Sequence, residues 1–207
     1  MRSALEALKT KFSSLDDAAV DAAGLLLAKR AELISRSRAI RDLPPSGRRI
    51  RIHGDYHLGQ TLRTPPISPD TSGDFVLLDF EGEPARPLSE RRRKQSPLKD
   101  VAGMLRSFSY AAFAGLKQFR EGREPSAGQS HVEEWSRAWE NSAAAEFLRT
   151  YREVIAKKPD LLPSTHETRT LLEAFVLEKS LYELLYELNN RPAWIPIPIA
   201  GILSLCK

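Results

Sequence analysis

The sequence contains a single cysteine and no long uninterrupted apolar run. The sole thiol, Cys206, excludes an internal disulfide and a zinc site built from cysteines, and it suits a reducing cytoplasm. The longest uncharged run, residues 192–206, is shorter than the roughly 20 residues that a transmembrane helix needs, and Pro196 and Pro198 interrupt it. The first residues are charged and amphipathic, unlike a signal peptide. These features predict a cytoplasmic protein without a membrane segment.

The chain contains few histidines, and its positive charges only slightly outnumber its negative charges. A net charge of +4 suits an anionic ligand such as a nucleotide, but it is too evenly spread to predict nucleic-acid binding. A transition-metal hydrolase site made of His53, Asp55 and His57 is one interpretation. The two other histidines, His131 and His166, lie in helical or linker surroundings, so they give it little support. Apolar residues make up 42% of the chain, enough for one domain with a hydrophobic core.

Apolar residues at helical spacing predict a mostly α-helical fold. The helices are expected over residues 3–12, 16–41, 97–119, 132–157 and 164–189. Segments rich in proline, glycine or serine should separate them. These segments are residues 43–47, 65–73, 120–130 and 159–163, together with an irregular stretch at 84–94.

Three short segments, residues 50–52, 61–63 and 75–78, have the composition or alternation of strands. The last is uniformly apolar, which predicts a buried strand. The expected fold is therefore mostly α with a small β element of two or three strands between the helices.

One block of polar residues follows these strands. His53 and Asp55 come directly after the first strand, Gln60 lies five residues further on, and Asp79 ends the third strand. The ends of two strands in one small hairpin can bring Asp55, Gln60 and Asp79 around one point. Phosphoryl transfer from ATP needs such a set: one carboxylate orients the attacking hydroxyl, while another carboxylate and a neutral oxygen hold Mg²⁺.

The block resembles the aminoglycoside-phosphotransferase-like branch of the protein-kinase fold, whose catalytic loop reads H-G-D-x-H-x-x-N. Gln60 in place of the usual Asn, with residues 79–88 and 96–108, is similar to maltokinases, often fused to trehalose synthase, and to bacterial glucosamine kinases. The resemblance is close over residues 50–110 and looser over the flanking helices. It implies a kinase-like C-terminal lobe, ATP and Mg²⁺ as cofactors, and a sugar acceptor, with maltose preferred over glucosamine.

The resemblance also implies roles for individual residues. Asp55 would be the catalytic base, and Gln60 and Asp79 would bind Mg²⁺. His53 and His57 would support the catalytic loop by hydrogen bonds. The alternative is that the two aspartates are ordinary turn residues.

Other residues have two interpretations each. Asp100 would either bond the catalytic loop or only complement the dipole of its helix. Glu81, which replaces the glycine of the kinase D-F-G motif, would contact either metal or sugar. Tyr182 and Tyr186, four residues apart on one helix face, and Trp194 would bind sugar or belong to the core.

The first 49 residues predict helices, not the glycine-rich loop and strand lysine with which a kinase N-terminal lobe holds ATP. We therefore expect residues 1–207 to form a C-terminal catalytic lobe without the ATP-binding lobe. This lobe would be active only with an N-terminal lobe, or it would be a non-catalytic module that binds sugar or docks onto trehalose synthase. A surface left uncovered by a missing lobe predicts self-association. The basic run at 91–94 is a solvated loop or a contact for phosphate or an acidic partner.

Overall fold

The computed structural model describes residues 1–15, 17–39, 47–66, 68, 72–121 and 129–206. This part of the chain contains eight α-helices and a two-stranded sheet. The helices are α1 (Arg2–Thr10), α2 (Asp17–Ala28), α3 (Arg30–Ala39), α4 (Leu88–Arg91), α5 (Leu98–Arg120), α6 (Gln129–Ile155), α7 (Thr165–Asn190) and α8 (Pro196–Ser204). The strands are β1 (Thr61–Arg63) and β2 (Phe75–Leu77).

The long helices predicted in the C-terminal half are confirmed as α5, α6 and α7. The start of α7 follows from a capping box: the Ser164 hydroxyl accepts from the Glu167 amide, and the Glu167 carboxylate accepts from the Ser164 amide. The predicted single helix over 16–41 is wrong in one respect, because a turn at Lys29 separates α2 from α3. The amide of Lys29 still bonds the carbonyl of Leu25, so the interruption is local.

The hydrophobic core lies where α1 and α8 pack on α7 and α2 packs on α8. Leu5, Leu26, Leu184 and Ile199, one from each helix, are fully buried. Burial of such a side chain contributes about 1.5–3 kcal/mol to stability. Helix α5 packs on another face of α7, and α6 packs on α5. α5 and α7 therefore lie side by side, and Glu83 and Arg86 of the segment between β2 and α5 contact α7.

The β element is smaller than predicted. β1 and β2 form an antiparallel hairpin, with Thr61 opposite Leu77. Residues 50–52 do not form a strand, since Ile50 makes only an isolated bridge with Gln95. The alternation Ile-Arg-Ile therefore reflects one contact with the segment before α5 and no sheet.

The prediction of a buried strand at 75–78 is also wrong. The strand forms, but Phe75 is 62% exposed and Val76 is 44% exposed. An apolar composition indicates that a strand can be buried, but burial needs another element to cover it. In the described part of the chain no element covers this hairpin.

Three further predictions concern connections and membrane segments. The stretch 84–94, predicted to be irregular, contains the short helix α4. The predicted turn at 43–46, residues 67 and 69–71 of the predicted loop, and residues 122–128 of the predicted linker lie outside the described residues. Among the described helices, none is both long and apolar enough to cross a membrane.

Candidate active site

The loop at residues 53–57 is anchored by Asp100, which lies in the first turn of α5. Asp100 Oδ2 accepts a hydrogen bond from the amide of His53 at 2.7 Å, and Oδ1 accepts one from the amide of Gly54 at 2.9 Å. Burial raises the pKa of Asp100, while the two amide hydrogen bonds oppose this shift. Asp100 therefore bonds the loop at 53–57, as one of its two interpretations predicts.

Two glycines allow the loop to approach its neighbours. Gly54 has φ +85°, a backbone conformation that residues with a Cβ rarely adopt. Gly103 of α5 faces the loop, and a Cβ there would lie only 2.6 Å from the carbonyl oxygen of Tyr56. The loop backbone can therefore pack directly on α5.

Both histidines of the loop make local hydrogen bonds. The buried His53 has Nε2 2.6 Å from the carbonyl oxygen of Leu78, and its Nδ1 lies 3.4 Å from the Asp55 amide. An Nδ1 that accepts requires the proton on Nε2, which then donates to Leu78. His57 Nδ1 accepts from the Gly59 amide at 3.0 Å. His57 Nε2 lies 3.8 Å from Asp55 Oδ2, within reach of the predicted base.

The predicted metal ligands Gln60 and Asp79 lie together at the end of the hairpin. Gln60 Nε2 donates to Asp79 Oδ2 at 3.2 Å. Asp79 has φ +55°, and it is the one non-glycine residue with a positive φ among those described. Aspartate adopts this left-handed conformation more readily than most residues, both in turns and at functional sites. Carboxylate and carboxamide oxygens suit Mg²⁺, which keeps waters and substrate phosphates as its other ligands.

The structure does not bring all three predicted residues into one contact. Asp55 contacts His57 and Lys179, not the pair of Gln60 and Asp79. The described residues also contain no group of three or more His, Cys, Asp or Glu side chains that could hold a metal ion. The interpretation as a transition-metal hydrolase therefore gains no support from the described residues.

Asp55 opens onto a cleft of about 490 Å³ between the loop, α5 and α7. The cleft is within the range of roughly 300–1,000 Å³ typical of small-molecule sites. Its charged lining consists of the carboxylates of Asp55, Glu83, Glu183 and Glu187 and the cations of Lys179 and Arg191.

Lys179 is the cation nearest to Asp55. Its Nζ lies 3.6 Å from Asp55 Oδ1 and 3.1 Å from Glu83 Oε2, and it stands 5.2 Å from the centre of the Tyr182 ring. The sequence analysis missed both Lys179 and Glu83. The available signal was the spacing of Lys179, three residues before Tyr182 and hence on the same helix face.

Tyr182 and Tyr186 both line the cleft, as expected for sugar-binding candidates. The Tyr182 hydroxyl donates to Glu83 Oε1 at 3.1 Å. Burial, and then the charge of Glu83, raise the pKa of Tyr182 to about 12. Tyr186 is 46% exposed, and the guanidinium of Arg191 lies 5.4 Å from the centre of its ring.

Trp194 and Glu81 do not line the cleft. Trp194 packs behind the cleft wall, with its ring centre 6.1 Å from that of Tyr110 and 5.6 Å from that of Phe113. Glu81 is exposed, and its carbonyl accepts from Arg91 at 3.2 Å. Trp194 thus contacts the cleft wall from behind, since Tyr110 lines the cleft. The contact of Glu81 with Arg91 involves neither the cleft nor the pair of Gln60 and Asp79. The next residues of the basic run, 92–94, are exposed, as a solvated loop would be.

The two other carboxylates of the cleft are buried and paired. Glu187 accepts from Tyr110 at 2.9 Å and from Arg191 at 2.7 and 2.9 Å. Glu183 accepts from the buried Arg106 at 2.9 Å. Neither glutamate was among the residues predicted from the sequence, although their spacing of four residues places them on the same helix face.

Comparisons with known proteins show what the chain is similar to. No family model matches it. It is 28% identical over 158 residues to a glucosamine kinase of Streptacidiphilus jiangxiensis, covering 75% of this chain and 31% of that protein. It is also 28% identical over 155 residues to a glucosamine kinase of Mycolicibacterium smegmatis, covering 74% of this chain and 33% of that protein.

Solved structures give a matching result. A glucosamine kinase in complex with glucosamine, ADP and inorganic phosphate superposes with a TM-score of 0.72 and 25% identity, covering 99% of this chain and 43% of that one. Another crystal form of a glucosamine kinase gives a TM-score of 0.71. The chain therefore resembles glucosamine kinases in sequence and in its mostly helical fold. It spans about a third of the length of the curated relatives.

Proposed function

We propose that this chain is the acceptor-binding and metal-binding part of a sugar kinase that uses ATP. The observation that carries the proposal is the arrangement of two neighbouring features. Asp55 opens onto a sugar-sized cleft, and Gln60 and Asp79 form a donor pair at the end of the adjoining hairpin. The similarity to glucosamine kinases, one of them solved with glucosamine and ADP, supports this assignment.

In the proposed reaction a sugar hydroxyl attacks the γ-phosphorus of ATP while the bond to the ADP oxygen breaks. Asp55 orients the hydroxyl and takes its proton. Lys179, beside Asp55, stabilises negative charge near the acceptor oxygen. Gln60 and Asp79 would hold Mg²⁺, which neutralises charge on the phosphates when it is bound. Asp100 and His53 keep the loop, and with it Asp55, in position.

The acceptor proposed first is glucosamine, the sugar named for both relatives. Maltose is a second candidate, because the carboxylates of the cleft already have cationic partners. Lys179 pairs with Asp55 and Glu83, Arg106 with Glu183, and Arg191 with Glu187. An unpaired carboxylate favours an ammonium group, whereas paired carboxylates suit the hydroxyls of a neutral sugar.

The proposal includes a division of labour, in which two lobes bind different substrates of the reaction. Residues 1–207 would bind the acceptor and the metal, and an N-terminal lobe would cradle the ATP phosphates, as the sequence analysis predicts. Docking onto trehalose synthase and a cytoplasmic location stay predictions.

The test incubates the purified chain with ATP, Mg²⁺ and either glucosamine or maltose, alone and with a kinase N-terminal lobe added in trans. Phosphorus NMR detects the sugar phosphate, and Asp55→Asn is the negative control. We expect product only when the lobe is present. Turnover by the chain alone at the rate of ordinary kinases, about 1–100 per second, would contradict the division of labour. Failure of both sugars in the complete mixture would contradict the sugar-kinase proposal.

A further inference from the structure

Arg106 of α5 is a buried cation that joins four helices. It is only 4% exposed. Its Nε donates to Glu183 of α7 at 2.9 Å, its Nη2 to the carbonyl of Ile197 in α8 at 3.3 Å, and its Nη1 to Ser109 at 3.1 Å. The Ser109 hydroxyl in turn donates to Glu140 of α6 at 2.5 Å. Removing a charged side chain from water costs desolvation free energy, which its partners only partly offset. Stability alone therefore does not explain why an arginine is buried here.

The packing around Arg106 is built to admit the guanidinium. The α8 backbone passes so close that a Cβ on Gly201 would lie 2.3 Å from Nη1 of Arg106. A glycine at this point leaves room for the charged group. The guanidinium can thereby reach the carbonyl of Ile197 and Glu183 together.

Glu183 connects this junction with the acceptor cleft. The residue is 8% exposed and lines the cleft. Its Oε2 accepts from Arg106, and among the described side chains no donor reaches Oε1. Oε1 is therefore available to accept a hydrogen bond from a molecule in the cleft.

We propose that Glu183 binds the acceptor sugar through Oε1 and that Arg106 is the positioning residue that holds Glu183 in place. This inference rests on the proposed function, since it assumes that the cleft takes a sugar. It adds a binding residue on the wall formed by α7 and assigns the buried cation behind it. The ligand class is a sugar that offers a hydroxyl or an ammonium donor to a fixed carboxylate.

The charge on Glu183 depends on its neighbours. Burial raises its pKa, and Arg106 and Lys179 oppose this shift, whereas Glu187 adds to it. Two further titratable groups lie near Arg106. Glu140 is joined to it through Ser109, and Tyr110 faces Glu187 and stays neutral because burial raises its pKa as well. Loss of the cation at position 106 should therefore let Glu183 take up a proton at higher pH.

The experiment measures sugar binding by the protein with NMR titrations of glucosamine and of maltose across pH. Glu183→Gln keeps the shape of the side chain but removes its charge. We expect it to weaken binding of the better sugar by about 10- to 100-fold, the usual effect of losing a hydrogen bond to a charged group. Glu146→Gln, on the exposed face of α6 where Glu146 pairs with Arg149, is the matched control and should leave affinity unchanged.

Variants of Arg106 separate positioning from folding. Sugar affinity should fall at low pH as Glu183 takes up a proton. Arg106→Gln should weaken binding and move this acid limb of the affinity profile to higher pH, and Glu183→Gln should abolish it. Gly201→Ala, which crowds the guanidinium from α8 without changing any charge, should also weaken binding. Circular dichroism and thermal melts establish that each variant is folded. A double variant, Arg106→Met with Glu183→Met, replaces the pair by apolar groups in case the single change unfolds the protein.

The outcomes are distinct. Sugar binding by the wild type together with full affinity in folded Glu183→Gln, or in the double variant, would overturn this inference and leave the proposed function standing. An unchanged acid limb in folded Arg106→Gln would overturn the role of Arg106. Binding of neither sugar by the wild type would overturn the proposed function and this inference together.

Discussion

Lys179 places its Nζ 3.6 Å from Oδ1 of Asp55, between this carboxylate and Glu83. In the proposed reaction this ammonium group would stabilise the negative charge that develops on the acceptor oxygen. Because α7 carries Lys179 and the loop at 53–57 carries Asp55, the packing of α7 against this loop sets their distance.

The first prediction concerns this pair. Lys179→Met should lower kcat of sugar phosphorylation by about 100-fold, the usual cost of one lost electrostatic contact at a reacting oxygen. Lys179→Arg keeps the charge and should retain more activity than Lys179→Met. The measurement is the phosphorylation assay with the N-terminal lobe present. Equal activity of wild type and Lys179→Met would show that the ammonium plays no part.

The second prediction concerns Asp79. Asp79→Asn should lower turnover by orders of magnitude and weaken Mn²⁺ binding, because the carboxylate is the one charged member of the donor pair. The backbone should tolerate the change, since Asn accepts the left-handed conformation that position 79 has. Paramagnetic relaxation by Mn²⁺ follows binding without catalysis. Near-normal turnover of the variant would show that Asp79 is not the metal ligand.

The third prediction concerns the packing of α1. Leu5→Ala should lower the free energy of unfolding by about 2–5 kcal/mol, because the side chain is fully buried against the core around α7. The matched control is Leu25→Ala on α2, where the side chain is 53% exposed. A substitution at such an exposed position should change the free energy of unfolding by no more than about 0.5 kcal/mol. Urea unfolding followed by circular dichroism gives both values, and equal values would mean that α1 is not docked.

The fourth prediction is a pH dependence at Asp100. Burial raises its pKa above the ordinary value of 3.8, so the folded protein keeps the proton over a range where the unfolded chain has released it. The free energy of unfolding should therefore fall as pH rises from 3.8 to the folded-state pKa, and this contribution should level off above it. Asp100→Asn should lack this decrease. Urea unfolding of both proteins at a series of pH values isolates the difference, and parallel curves would contradict the prediction.

The fifth prediction is self-association through the exposed hairpin. Phe75 and Val76 of β2, Leu62 of β1 and Phe80 beyond the hairpin are large apolar residues at the surface. Large apolar side chains exposed in one small region favour contacts between molecules. We expect light scattering to show dimers or larger species that grow with concentration. Phe75→Glu should shift the protein toward monomer, and a wild type that stays monomeric throughout would exclude the prediction.

Local sequence patterns determined much of the helical framework and part of the site. The long helices α5, α6 and α7 follow from apolar periodicity and from the capping box at Ser164, which act within a few residues of one another. The pairing of Gln60 with Asp79 also follows from nearby sequence, because β1 and β2 are neighbours in one hairpin. The roles assigned to these two residues stay predictions.

Tertiary structure decided the remaining features. The exposure of β2 depends on what packs against it, which its composition does not specify. Lys179 contacts Asp55, and Glu183 is buried beside Arg106. The members of these pairs are about 80 to 120 positions apart in the sequence, and only helix packing brings them together. Sequence by itself thus determined the local elements and the polar block at 53–79. The tertiary fold alone chose which charges line the cleft, because the energy of a buried charge depends on partners that distant segments supply.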